Sequence, residues 1–349
     1  MTDTDIPFDS ILIISFGGPE GLDDVIPFLE NVLRGKNVPR ERMLEVAEHY
    51  KHFGGVSPIN AQNRDLIAAL RRELDRAGID LPIYWGNRNW NPLIDEALSD
   101  MRSAGCRRAI AFFTSMFSCY SGCRQYRENI AAAQQAVGDG APSVELVRKG
   151  FNHPRFIAAQ ADLTRQALEP IDAAKRGQAK LLFTAHSIPM SMADNSRYVL
   201  QLSEASRLVA QAVGHENWEL VYQSRSGPPQ QPWLEPDICE RIEALAGAGT
   251  TDFVVVPIGF VSDHMEVLFD LDTEAKETCE RLGVGFSRAA SAGTHPEFVG
   301  MIRELIEERI LNLPERPFVG ELGPSHDVCP VDCCLYPRPQ RPAASGASK

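Results

Sequence analysis

No apolar run in the 349 residues approaches the ~18–20 needed to cross a bilayer, so the sequence predicts no membrane-spanning helix. The first residues, Met1 to Asp5, are acidic and lack the charged-then-apolar order of a secretory signal, which predicts a cytoplasmic protein. Positive charge is also scarce. Lysine and arginine number 35 against 47 aspartate and glutamate, a formal net charge of −12, so no broad basic face for nucleic acid is expected. The overall field would not steer an anionic ligand either; such a ligand would need local Arg, Lys, Ser or Tyr contacts. A dinucleotide fingerprint is missing. Gly17, Gly18, Pro19, Glu20 and Gly21 close the first apolar stretch without the required spacing, and no acidic residue follows a second strand at the expected distance. That turn instead lets a ligand or another backbone come close. No internal sequence repeat is visible.

What is present centres on Lys180-Leu-Leu-Phe-Thr-Ala-His-Ser-Ile-Pro189. The apolar run Leu181 to Ala185 stops at His186, and Pro189 forbids further pairing, the pattern of a buried parallel strand. Ligands of open α/β sheets bind beyond the carboxyl ends of such strands, where His186 sits. The plainer alternative is a capping or loop histidine. Strands are predicted over 10–16, 82–85, 108–117, 144–147, 179–185, 219–223, 253–260 and 284–288. Helical periodicity fills the intervals, over 23–34, 40–51, 61–77, 91–104, 119–137, 154–168, 196–213, 236–246, 263–282 and 296–311. Four strands alternating with helices, twice, predict an α/β protein of two similar halves, each a four-stranded parallel sheet flanked by helices. The halves are placed at 1–150 and 151–314, with the last helix free to pack back on the first half. A Cys-rich segment follows at 315–336. Residues 337–349, rich in Pro, Ala, Ser and Gly, are predicted to be disordered.

A second strand end leads into Val261-Ser-Asp-His-Met-Glu-Val-Leu-Phe-Asp-Leu-Asp-Thr-Glu274. On a helix Glu266, Asp270 and Glu274 fall at i, i+4 and i+8 on one face. Like charges so spaced repel by ~0.2–0.5 kcal/mol per pair, a cost that cations would offset. Hard oxygen ligands in a row point to a site or path for a divalent metal. The alternative is a capping box, since Asp263 and Glu266 have that spacing, with the rest of the row a solvated face.

These residues resemble a known family. Leu182-Phe-Thr-Ala-His-Ser-Ile-Pro189, Tyr222-Gln-Ser-Arg-Ser-Gly-Pro228 with Pro232-Trp-Leu234, and Pro257-Ile-Gly-Phe-Val-Ser-Asp-His-Met-Glu-Val-Leu-Phe-Asp270 are similar to the ferrochelatases. So are Ser15-Phe-Gly-Gly-Pro19, Gly54-Gly-Val-Ser-Pro58 and Tyr120-Ser-Gly-Cys-Arg-Gln-Tyr126, in order over nearly the whole chain. The resemblance implies two Rossmann-like halves with a porphyrin cleft between them. It implies that His186 and Glu266 are catalytic, that Asp270 and Glu274 lead Fe2+ toward them, and that Arg34, Tyr50, Ser57 and Tyr126 line the porphyrin or hold its propionates. Phe16, which cannot ligate, stands where the family often has Tyr or Met; His49 stands where some relatives have a propionate-binding Arg. The chemistry suits the residue types. Metal insertion removes two pyrrole protons, and a neutral imidazole of pKa ~6.5 accepts one at cell pH. Carboxylates deliver the metal and take the second, while the cleft holds the macrocycle bent.

Cys329, Cys333 and Cys334 lie beyond the last predicted helix. Three thiols so close make poor disulfides in a reducing cell and poor zinc spacing. Thiolates also hold [2Fe-2S] clusters, four per cluster. The resemblance supplies Cys123 as the fourth, with Cys119 its rival, and zinc or free thiols remain the other readings; Cys106, Cys239 and Cys279 are expected to be ordinary buried thiols. The resemblance is to soluble cluster-bearing members that use coproporphyrin III, and it implies a downstream haem-handling enzyme as partner. Arg34, Lys36, Arg40, Arg42 and Lys51 could supply positive charge for the propionates, and residues 51–60 form no long apolar lip. Protoporphyrin IX as substrate, a cobalt chelatase of related fold, and a non-catalytic cluster-based iron or redox sensor are the alternatives.

Overall fold

Strands that are apolar on both faces need cover on both, and this requirement sets the architecture. The computed structural model describes residues 7–35, 38–228 and 230–336; Lys36 and the tail from 337 onward lie outside them. The first half runs β1 (Ser10–Ser15), α1 (Leu22–Leu33), α2 (Arg40–His52), α3 (Ile59–Arg76), β2 (Ile83–Asn87), α4 (Ile94–Ser103), β3 (Arg108–Phe113), a π-helical turn (Tyr120–Arg124), α5 (Gln125–Val137) and β4 (Ser143–Leu146). The second runs α6 (Pro154–Leu168), β5 (Lys180–His186), α7 (Met190–Asp194), α8 (Tyr198–Val213), β6 (Trp218–Gln223), α9 (Ile238–Gly247) and β7 (Asp252–Val256). It closes with α10 (Met265–Val267), a longer π-helical segment (Leu268–Ala275), α11 (Lys276–Leu282), β8 (Gly285–Arg288) and α12 (Pro296–Ile310).

Both sheets are parallel, in the orders β2-β1-β3-β4 and β6-β5-β7-β8. One topology is thus used twice, with β5 standing where β1 stands and β7 where β3 stands. The chain leaves β5 to one side for β6 and returns on the other for β7, so a crevice opens at the carboxyl ends of β5 and β7. A continuous apolar core joins the inner faces of both sheets to α3, α6, α8 and α12, with Leu70, Phe112, Phe156, Phe183, Val254 and Phe298 among its members. Helices α4 and α5 cover the outer face of the first sheet, and α9 with the π segment and α11 that of the second. Helix α12 rests on both α3 and α6. Arg148 and Glu308, both buried, form two 2.8 Å hydrogen bonds that tie α12 to the chain after β4. Losing one partner of such a pair costs about 3–5 kcal/mol.

Several boundaries differ from the sequence expectation. Strand β3 ends at Phe113, because the apolar run through Phe117 continues as a buried loop packed on Phe156 and Tyr198. Strand β7 ends at Val256, because Pro257 has no N–H and Gly259 then turns in to donate to the Thr184 carbonyl. The helix expected over 119–137 opens with a π turn, and that expected over 263–282 is interrupted by a π segment. These π elements follow β3 and β7, the equivalent strands of the two halves.

Candidate active site

His186 ends β5, and its main chain is fixed from behind by the buried Tyr198 hydroxyl, which donates to the His186 carbonyl at 3.1 Å. Its Nδ1 lies 2.5 Å from the Ser187 carbonyl, an acceptor only, so Nδ1 carries the proton and Nε2 presents a lone pair. Across the crevice, 3.5 Å from that Nε2, is Oε2 of Glu266. Two acceptor atoms so close form a ready place for a shared proton or a cation. The strand ends can come this near because Gly259 has no side chain; a Cβ there would stand 2.7 Å from that of Ala185.

Glu266 is not a capping residue. The N-cap of α10 is His264, whose side chain makes no cap hydrogen bond, and its ring meets Phe260 edge-on. The Asp263 carboxylate is occupied by Arg288 and Ser291. From Glu266 the acidic row continues to a half-buried Asp270 and an exposed Glu274. Ser224, held at φ 62, and Gln223 donate to Asp270 Oδ2. Burial nevertheless pushes the Asp270 carboxyl up to about 8, with the charges of Glu266 and Glu274 adding to the shift. Burial raises Glu274 as well. The π segment straightens the row. An α-helix turns every 3.6 residues, so four-residue steps wind one way round it; the wider i→i+5 turn winds them back, and the α and π turns together keep the row near one face. The buried stripe Val267, Leu271, Ala275 and Cys279 has the same four-residue step on the adjoining, inward face.

The first half faces this row. The Tyr50 phenol is pushed far above its ordinary range by burial and then by the Glu266 charge, so it lies in the field of that carboxylate. On α2, His49 stacks on Phe269 of the π segment, with ring centroids 3.9 Å apart and planes at 11°. Gln62 accepts the Asp263 amide at 2.8 Å, a second contact between halves. Arg34, exposed, donates to Asn31 Oδ1 at 2.5 Å. Ser57 and Tyr126 are buried, and Tyr126 is stacked on Phe113 beneath the Arg88 guanidinium. Arg88 also lies over Phe16, the partly exposed ring at the end of β1.

A second cluster forms where the C-terminal segment meets the first π turn. Arg124 holds that segment by the Val331 and Cys333 carbonyls, and Asn152 by those of Val319 and Gly323. Cys123 accepts a hydrogen bond from Cys329, which lowers its thiol pKa and raises that of Cys329. Cys333 and Cys334 have their sulfurs 3.6 Å apart. Cys334 takes a left-handed backbone, φ 53, and is buried although its neighbour is not. Cys119 instead accepts the Gly122 amide at 3.2 Å and caps the π turn. The Lys149 ammonium, held by the Ser115 and Gly122 carbonyls, stands beside these sulfurs. Soft donors with a cation nearby suit a thiolate-bound metal group. Sequence reasoning missed Lys149, Ser224 and His326, whose ring nitrogen lies within 4.8 Å of the Cys329 and Cys333 sulfurs.

A family model described as Ferrochelatase matches residues 9–310. A protein named Ferrochelatase from Rhodopirellula baltica is 64% identical, over 97% of this chain and 97% of its own length. The Coproporphyrin III ferrochelatases of Nocardia farcinica and Streptomyces griseus are 50% and 49% identical, over 97% and 98% of this chain and 99% and 96% of their own lengths. Among solved structures, SirB from Bacillus subtilis with Fe3+ matches with a TM-score of 0.51 at 13% identity, over 86% of this chain and 96% of its own, a likeness of fold.

Proposed function

Since the chain belongs to the ferrochelatase family, lyases that insert iron into porphyrin, we propose that it inserts Fe2+ into coproporphyrin III at the His186–Glu266 pair. The observation that carries the site is the Nε2 lone pair of His186, at the end of β5, aimed across 3.5 Å at Glu266 on α10 beyond β7. Nε2 accepts one pyrrole proton, and the Nδ1–H bond to Ser187 keeps the ring in the accepting tautomer. Glu266 stabilises the imidazolium that forms and takes the second proton. Fe2+ reaches the pair along Glu274 and Asp270, exchanging the Asp270 proton as it passes. Tyr50, within reach of the Glu266 charge, and Phe16, which packs with it on Phe28, would line the porphyrin from the first half, and Arg34, Arg40, Arg42 and Lys51 offer charge-assisted hydrogen bonds to propionates. Four propionates make coproporphyrin III the more polar substrate, and the named relatives at 49–50% identity support that choice. Its iron complex still carries all four, so a downstream haem-handling enzyme must accept it.

Cys123, Cys329, Cys333 and Cys334 are proposed to hold a [2Fe-2S] cluster. Four converging thiols, one already lowered in pKa, with Lys149 to offset their charge, support it. When bound, the cluster supplies a redox-active tie between the C-terminal segment and the first half. An anaerobic insertion assay with Fe2+ tests the substrate: coproporphyrin III should give the higher kcat/KM with and without detergent, and a preference for protoporphyrin IX in both would overturn the assignment. Serine at Cys123, Cys333 or Cys334 should abolish the visible cluster spectrum, and serine at Cys106 should not. Colourless protein holding stoichiometric zinc would reverse the cluster reading.

A further inference from the structure

The four-thiol site leaves one donor unused. His326 Nδ1 or Nε2 and the sulfurs of Cys329 and Cys333 all lie within 4.8 Å of one another. The intervals between the three, two residues and then three, are those by which short loops present ligands to a tetrahedral cation. The adjacent pair Cys333 and Cys334 lacks that spacing. Cys334 is buried, whereas His326 is exposed. A small cavity lined by Cys123, Lys149, His326 and Cys329 continues inward from the trio. The donors therefore sort into two groups: the inner thiols Cys123 and Cys334, and an outer trio of one imidazole and two thiols.

We infer that His326, Cys329 and Cys333, with a solvent water in the fourth position, form a mononuclear site for a borderline-soft divalent cation of the Zn2+ or Co2+ class. One imidazole and two thiolates match that softness, and hard cations such as Mg2+ are excluded by the sulfurs. Binding forms one metal–nitrogen and two metal–sulfur bonds, and the two thiol protons pass to solvent. The site shares Cys329 and Cys333 with the proposed cluster, so the two groups exclude one another. Only this exclusivity rests on the cluster reading; the cation site stands on the trio alone. Its role is to brace the C-terminal segment internally, since all three ligands belong to that segment.

The test uses the full-length chain, stripped of metal anaerobically with reductant and chelator, then titrated with Co2+. One Co2+ per chain is expected, with sulfur-to-cobalt charge-transfer bands and the visible absorption of a four-coordinate ion. His326→Ala should weaken this binding at least ~10–100-fold. His326→Cys, which restores a donor, should recover it. Cys334→Ser should bind Co2+ within about twofold of the parent, since Cys334 is outside the trio. In protein as isolated the cluster spectrum should respond the other way, surviving His326→Ala and disappearing in Cys334→Ser. Circular dichroism of each apo variant separates ligand loss from unfolding. His326→Ala binding Co2+ as tightly as the parent, or Cys334→Ser losing it, would overturn the proposal. Absence of any cluster as isolated would defeat the cluster reading and leave the cobalt result to decide the cation site.

Discussion

At the scale of single residues, the His186 imidazole is the group whose loss should matter most. His186→Ala is expected to lower metal insertion by ~10²–10⁴-fold, the usual effect of deleting a general base, while porphyrin binding persists. Glu266→Gln should lose nearly as much. Asp270→Asn and Glu274→Gln should act chiefly through the apparent KM for iron, and wild-type iron dependence in all three would reduce the row to a solvated face. Asp270 also has a pH signature. Its carboxyl is raised from 3.8 to about 8, so between those values the folded chain keeps a proton that the unfolded chain has released. Its contribution to stability is therefore full below about pH 4 and is lost as pH rises through about 8. The Tm of Asp270→Asn, measured against the parent, should gain steadily across that window; a constant difference would show an ordinary carboxylate. Sequence made His186 legible because a strand ended there, but Ser224 was hidden, since its left-handed backbone has no mark in the residue type. His326 was overlooked because three neighbouring cysteines already explained the segment.

At the scale of elements, the close approach of β5 and β7 depends on Gly259. Gly259→Ala would force its Cβ against Ala185, and overpacking of this kind costs about 1–3 kcal/mol. The strain falls next to His186, so kcat should drop more than KM changes, which steady-state kinetics with a melting curve can check; unchanged kcat would show that the strand ends are free to part. Helical periodicity located α6 with the bounds found, and the alternation of strands and helices was read correctly throughout. The π segments were not seen, although a signal existed. Both the buried stripe at 267, 271, 275 and 279 and the acidic row keep a four-residue step. On a 3.6-residue turn that step drifts by about 40° each time, so two faces sharing it call for a wider helix. Strands β3 and β7 were drawn too long because an apolar run marks burial, and burial continues into the loops beyond them.

At the scale of the whole molecule, the doubling of one topology was legible as a pattern of elements and invisible as a sequence repeat. Burial constrains only residue class at most positions, so two halves can keep β2-β1-β3-β4 and β6-β5-β7-β8 while their side chains diverge. What sequence could not supply was where the halves touch. His49 lies face to face with Phe269, and Gln62 holds the Asp263 amide, so first and second halves meet beside the acidic row. If porphyrin enters between the halves, as the proposed function has it, a flat macrocycle must wait until that contact parts. Capture should then have a speed limit set by the protein: in stopped-flow mixing, the observed rate should level off as porphyrin concentration rises, at the frequency with which the halves separate. Phe269→Ala should raise the plateau. A rate climbing linearly in the parent would mean that the entrance already stands open, and that arrival of the porphyrin alone sets the pace.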